Sequence, residues 1–226
     1  MFNEADLTAL VITLKLAFIS TFVLLLLGTP LAFWLARTRW RFKFLLEAMI
    51  ALPLVLPPTV LGFYLLVLLG PKGFIGGLWV DLTGSTLTFS FTGLVIASVV
   101  YSLPFVVQPL QNAFEAVGRK PLEAAWTLGA SKWDAFFTVA APMALRGFLT
   151  AITLGFAHTL GEFGVVLMVG GNIPGETKVI SIAVYEHVEV LEYTQAHLLS
   201  LILLGISFSV LFTVYALNRH LAVKAG

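Results

Sequence analysis

His158 and Glu162 are the ionisable side chains of an otherwise apolar stretch, AHTLGEFGVVLMVGGN. Four residues apart, they share one face of a helix and can pair. A histidine beside a carboxylate is raw material for acid–base chemistry, but an enzyme needs a nucleophile or metal ligands as well. The chain supplies neither in a recognisable spacing. It has no cysteine, and His187, His197 and His220 are scattered and read as interfacial. An intramembrane enzyme is therefore the weaker alternative, and no metal is expected. Two readings of the pair stay open. It can clamp helices together by hydrogen bonds, or it can stand at the wall of a substrate path. In the second case His158 offers a proton-bearing nitrogen to an anion. Glu162 must then be paired or protonated, because a bare carboxylate would repel that anion.

A second polar region lies in LPLVLPPTVLG, residues 52–62. Each proline removes a backbone donor and clashes with the preceding turn, at about 3 kcal/mol in a regular helix. One proline reads as a kink. Pro53, Pro57 and Pro58 within six residues predict a broken helix that lines a cavity, with Thr59 adding a hydroxyl. Pro104 and Pro109, beside Gln108 and Gln111, make the same case more weakly. Gly161, Gly164, Gly170 and Gly171 permit close helix approach, and GGNIPG (170–175) is turn chemistry. The expected path residues are Pro57, Thr59, His158, Glu162, Gly170, Gly171 and Asn172.

The elements that must position these residues are membrane spans. The chain is 59% hydrophobic and 11% charged, with mean hydropathy +0.98 over 226 residues. Soluble domains carry about 25% charged residues, so lipid must solvate much of this chain. Apolar blocks at about 9–36, 44–69, 91–114, 144–169 and 198–217 are each long enough to cross a hydrocarbon layer of about 30 Å. The glutamate-rich stretch 176–192 predicts a short surface or re-entrant helix. Arg37, Arg39, Arg41, Lys43, Arg119, Lys120, Lys132, Arg146, Arg219 and Lys224 fall on one side, and only Lys72 and Lys178 lie in loops on the other. The positive-inside rule puts the N-terminus outside and the C-terminus in the cytoplasm. The acidic start, MFNEADLTAL, lacks the basic region of a cleaved signal peptide. No repeat or linker divides the chain, so residues 1–226 read as one transmembrane domain.

Between the third and fourth spans lies PLEAAWTLGASKWDAFFTVAAP (121–142), a polar insert with helix formers and one glycine. It predicts a short cytoplasmic helix, within a loop at about 115–143, for another protein to grip. Its Glu123-Ala124-Ala125, Gly129 and Pro142 resemble the E-A-A-x3-G-x9-I-x-L-P loop of bacterial ABC-importer permeases. Val139 and Ala141 replace the isoleucine and leucine, and the spacing is intact. GEFGVVLMVGGNIPGET (161–177) and LPLVLPPTVLGFYLL (52–66) resemble the molybdate branch of the molybdate/sulfate/tungstate permeases.

The resemblance implies an all-α, polytopic bundle of about five helices with the type I, MetI-like importer-permease fold. It implies a homodimer in the bacterial or archaeal plasma membrane, the inner membrane if there are two. It also implies a cytoplasmic ATPase dimer, an external solute-binding protein and import of an oxyanion. Molybdate is favoured, with sulfate/thiosulfate or tungstate as alternatives. Glu123, Ala124, Ala125, Gly129 and Pro142 would couple to the ATPase. The chain has no G-x-x-x-x-G-K-[ST] phosphate loop, so no cofactor is expected on it and the partner uses the ATP. Lipid surrounds it, and nucleic acid is not expected among its partners. A secondary transporter would usually show inverted repeats, and none is evident.

Overall fold

The computed structural model describes residues 4–223, and all of its regular structure is helical. Lys224 lies outside the described residues, as do the side chains of Arg219 and His220. Three helices are long and apolar enough to span: α1 (Glu4–Leu35), α5 (Phe91–Val117) and α12 (Tyr193–Val223, apolar over Tyr193–Ala216). Two bent pairs raise the possible spans to five, the number expected. All-α architecture follows from the solvent: in hydrocarbon, only a helix or closed barrel satisfies every backbone group.

The first bent pair is the proline-rich span. Helix α2 (Lys43–Ala51) runs through a 3-10 turn at Leu52–Leu54, and α3 (Pro58–Leu69) departs at 110°. Pro57 and Pro58 lack the N–H groups a continuous helix would use, and Pro58 instead begins α3, where no donor is missed. The expected break is therefore present. After it comes α4 (Phe74–Thr83), an apolar helix of 10 residues that fills a segment read from sequence only as an external loop.

The fourth span differs from its expectation of one block at 144–169. Helix α9 (Leu145–Leu160) ends at Gly161, and a separate α10 (Gly164–Gly170) follows. Upstream, α6 (Lys120–Thr127), α7 (Lys132–Ala135), a π-turn segment at Phe136–Ala140 and α8 (Ala141–Met143) lead into α9 through a 74° bend at Ala144. Helix α11 (Ile180–Glu189) lies in the stretch expected to be a short surface helix.

The centre of the bundle is α1, α5 and α9, each packed on the other two. Leu24, Val106, Val107, Leu110 and Ala151 are fully buried where they meet. The approach is tight enough that a Cβ on Gly155 would lie 2.7 Å from Val106 Cγ2, and one on Gly147 2.2 Å from Ala113 Cβ. Small residues are how helices gain contact where lipid offers no hydrophobic drive. The basic segments gather at one end: Lys43 bonds Glu115 at 3.0 Å, and Arg119 donates to the Arg37 carbonyl at 2.6 Å. At the other end the Ile180 N–H donates to Thr13 Oγ1, and Phe89 to the Val169 carbonyl.

Candidate functional site

The break between α9 and α10 places Glu162 off the end of the helix rather than along it. Gly161 closes α9 by donating to the His158 carbonyl, and the chain turns Glu162 inward, where it is 3% exposed. Both carboxylate oxygens are engaged. Ser98 of α5 donates to Oε2, and Ser102, one turn on, donates to Oε1 at 2.7 Å. The Glu162 carbonyl accepts from Ser181 of α11 at 2.5 Å. Glu162 thus ties the break to two neighbouring helices, as the clamp reading requires.

His158 still pairs with Glu162, at 3.5 Å between Nδ1 and Oε1, despite the lost helical register. Its Nδ1 lies 2.8 Å from Ser102 Oγ. The Ser102 hydroxyl thus links His158 to Glu162. The ring stacks on Phe105 at 3.9 Å between centroids, with Tyr101 at 4.6 Å.

A cleft of about 540 Å³ opens beside this cluster, bounded by Pro58, Thr59, Tyr101, His158, Glu162 and Met168 among others. It brings together Thr59 of α3, His158 of α9 and Glu162 of the break that follows α9. Pro57 stands immediately before its wall as the residue capping α3. The remaining expected path residues lie elsewhere. A Cβ on Gly170 would lie 2.4 Å from Leu94 Cδ2, which makes this glycine a packing contact. Gly171 has φ +67° beside Phe89. Asn172 is exposed, beside Glu186. There the Lys178 ammonium bonds Glu186 and, outweighing burial, holds its carboxyl below the usual range. Lys178 and Glu186 therefore form an ion pair.

Sequence reasoning missed Ser98, Ser102 and Ser181. The first two could have been found: small hydroxyls four apart in an apolar span share a face and suit a buried carboxylate.

The 115–143 loop builds a second site at the basic end. Gly118 ends α5, and α6 follows with Glu123 exposed in its first turn, where a carboxylate suits the positive helix end. Ala124 is exposed and Ala125 half-buried. Helix α6 closes on paired bonds, Ala130 N–H to the Ala125 carbonyl and Gly129 N–H to that of Trp126, both 3.0 Å. This is a Schellman ending, which needs a left-handed residue at its turn. Gly129 supplies it at φ +90°. Ser131 then caps α7 by accepting from the Asp134 N–H. Leu122, Ala135 and Phe136 pack into the core beside Phe33 and Phe114. The outer face carries Trp126, Leu128, Trp133 and Phe137, with Leu128 89% exposed. Exposed Pro142 lies in α8, two residues before the bend at Ala144 into α9. The insert is thus a helix–turn–helix with an aromatic outer surface, where the sequence had suggested one polar helix.

Comparison with known proteins shows the family to which the chain belongs. The described family "Binding-protein-dependent transport system inner membrane component" matches residues 28–223. A molybdenum transport system permease protein of Azotobacter vinelandii is 60% identical, over 99% of this chain and 98% of its own. Its counterpart from Escherichia coli is 40% identical over 81% and 80%. A sulfate transport system permease protein of Escherichia coli is more distant, 32% identical over 96% and 78%. Among solved structures, a bacterial alginate ABC transporter chain aligns with TM-score 0.78 at 14% identity, covering 97% of this chain and 80% of that one. The MetNI methionine ABC transporter gives 0.72 at 18%, covering 97% and 99%. At these identities the likeness is one of fold. The family match and the close relatives go further, and the chain belongs to the inner-membrane components of binding-protein-dependent transport systems, the multi-pass permeases of ABC importers.

Proposed function

We propose that this permease imports molybdate. The observation that carries this reading is the 60% identity to the Azotobacter molybdenum permease along both whole chains. The cleft at Thr59 and His158 supports it chemically. It combines the Thr59 hydroxyl and the His158 ring, its Glu162 carboxylate is already bonded to Ser98 and Ser102, and no lysine or arginine lies in its wall. Donors without a fixed cation bind an oxyanion weakly enough to let it leave.

The permease works as a homodimer. Each chain offers one coupling segment, and an ATPase dimer offers two grooves, so a closed twofold assembly satisfies both. The chain carries no phosphate loop, so ATP is hydrolysed by the partner and no cofactor is held here. The basic end, with Arg37, Lys43 and Arg119, faces the cytoplasm, and the N-terminus faces outward. Glu123, Ala124, Ala125, Gly129 and Pro142 belong to the coupling segment, and the aromatic face of Trp126, Trp133 and Phe137 is its docking surface. A solute-binding protein docks on the opposite end, over residues 71–90 and 172–192. ATP binding closes the ATPase pair, pulls the coupling helices and opens the cleft outward, and hydrolysis returns it inward.

The test is uptake of labelled molybdate into proteoliposomes holding permease, ATPase and binding protein. Tungstate competes strongly and sulfate weakly if the reading holds. Equal competition by sulfate, or uptake of sulfate alone, would overturn the choice of molybdate.

A further inference from the structure

We propose that Gln108 and Asn112 form a hydrogen-bonding station for the transported anion, on the cytoplasmic side of the Phe105–His158 stack. The inference rests on the importer reading and names residues for the inner half of its path.

Tyr101, Phe105, Gln108, Asn112 and Glu115 follow one another along α5 at intervals of four, three, four and three residues. That spacing lays them down one helix face. Tyr101 lines the cleft already described. Below the Phe105–His158 stack, a second cleft of about 440 Å³ is lined by Phe105, Gln108 and Asn112. Gln108 and Asn112 also line a third, of about 250 Å³, which reaches Glu47. The broken span runs alongside, with Leu54 bordering the second cleft and Thr59 the first. The three clefts therefore follow α5 from the helix break toward the basic end.

The amides themselves point to a ligand. Gln111, on the adjoining face, is buried and bonded to Glu47 at 2.6 Å and to Glu115 at 3.1 Å. Gln108 and Asn112 are exposed, and their side-chain amides bond no described residue. An amide facing hydrocarbon without a partner is costly, so this face meets water or solute. Lys43, on the adjoining α2, is committed to Glu47 and Glu115. The free donors on this face are then two neutral NH₂ groups, which hold an oxyanion without trapping it.

The test uses the chain's lack of cysteine. Gln108→Cys and Asn112→Cys, in the assembled transporter, react with a membrane-impermeant thiosulfonate in inside-out vesicles. Phe22→Cys, on the exposed face of α1, does not. Absence of reaction at 108 and 112 in every nucleotide state, while Thr38→Cys reacts, would overturn the wet path. This labelling reads the face whatever the solute, so it stays informative if the wild type imports no oxyanion and the molybdate reading fails. In uptake assays Gln108→Leu and Asn112→Leu each lower molybdate transport about tenfold, with ATPase assembly and basal hydrolysis retained. Gln108→Asn and Asn112→Gln recover most of it. Wild-type transport in the double leucine variant would overturn the station. Dissociation of the permease dimer in either leucine variant would overturn it too, by making the amides an interface clamp.

Discussion

Glu162 is the residue whose replacement most directly tests how the bundle holds its broken span. It is 3% exposed and accepts from Ser98 and Ser102, the latter at 2.7 Å. A hydrogen bond to a charged group contributes about 1.5–3 kcal/mol, and the cost of burying the carboxylate offsets part of the pair's sum. Glu162→Gln keeps one acceptor and turns an NH₂ toward the other serine. That serine can rotate and give its own proton to the carbonyl four residues back. The net loss is then about 1–3 kcal/mol. Glu162→Leu removes both bonds and reaches about 3–5 kcal/mol. Unfolding of the detergent-solubilised permease by sodium dodecyl sulfate, followed by fluorescence of its five tryptophans, measures both. A double-mutant cycle of Glu162→Gln with Ser98→Ala isolates the α5 contact, with an expected coupling of about 1.5–3 kcal/mol. A coupling under about 0.5 kcal/mol, or a wild-type midpoint in Glu162→Leu, would refute the clamp.

Gly129→Ala forces a side chain into φ +90° and strains the α6 ending by about 1–2 kcal/mol. Gly129→Trp goes further and uncouples ATP hydrolysis from uptake while insertion persists, so wild-type transport in that variant would remove the coupling role. His187 bonds Asp6 at 3.1 Å and Glu192 at 2.9 Å. Burial lowers its pKa, but those two partners outweigh burial and raise it. The folded protein therefore binds this proton more tightly than the unfolded chain, whose histidine titrates near about 6.5. The stabilisation is complete below that pH and fades as pH rises through the raised folded value. Melting midpoints across pH 5–9 (about the span needed to bracket that shift) show this fall in the wild type, and His187→Gln flattens it. For sidedness, a cysteine at Thr38 is labelled only from the cytoplasm and one at Ser85 only from outside, and the reverse pattern would overturn the orientation.

Much of the fold was legible because lipid simplifies the physics. Long apolar blocks have to be helices, and three prolines in 53–58 cannot sit in a regular one, so the span count and the break in the second span were readable. The helical insert at 121–142 was readable because its spacing records local turn chemistry: a glycine three residues past Ala125–Trp126 is where a helix can close on a left-handed residue. The split of the fourth span was not read, although GEFG sets a carboxylate between two glycines, because the same residues also suit a continuous helix packed closely on its neighbours. Within 144–169 those residues allow a break without requiring that Glu162 leave the helix. That depends on Ser98 and Ser102 from α5, 64 and 60 residues away, and on Ser181 from α11. The sequence also could not separate Gln108 and Asn112 from Gln111, since all three are amides within one helix. Only the placement of α2 did so, by giving Gln111 a carboxylate partner and leaving the other two facing open space. Periodicity and composition thus determine which segments are helices and where each can break. Which polar group is satisfied and which stays free for a solute is set by contacts between distant segments, because a hydrogen bond needs its partner within about 3 Å and only the packed bundle fixes that distance.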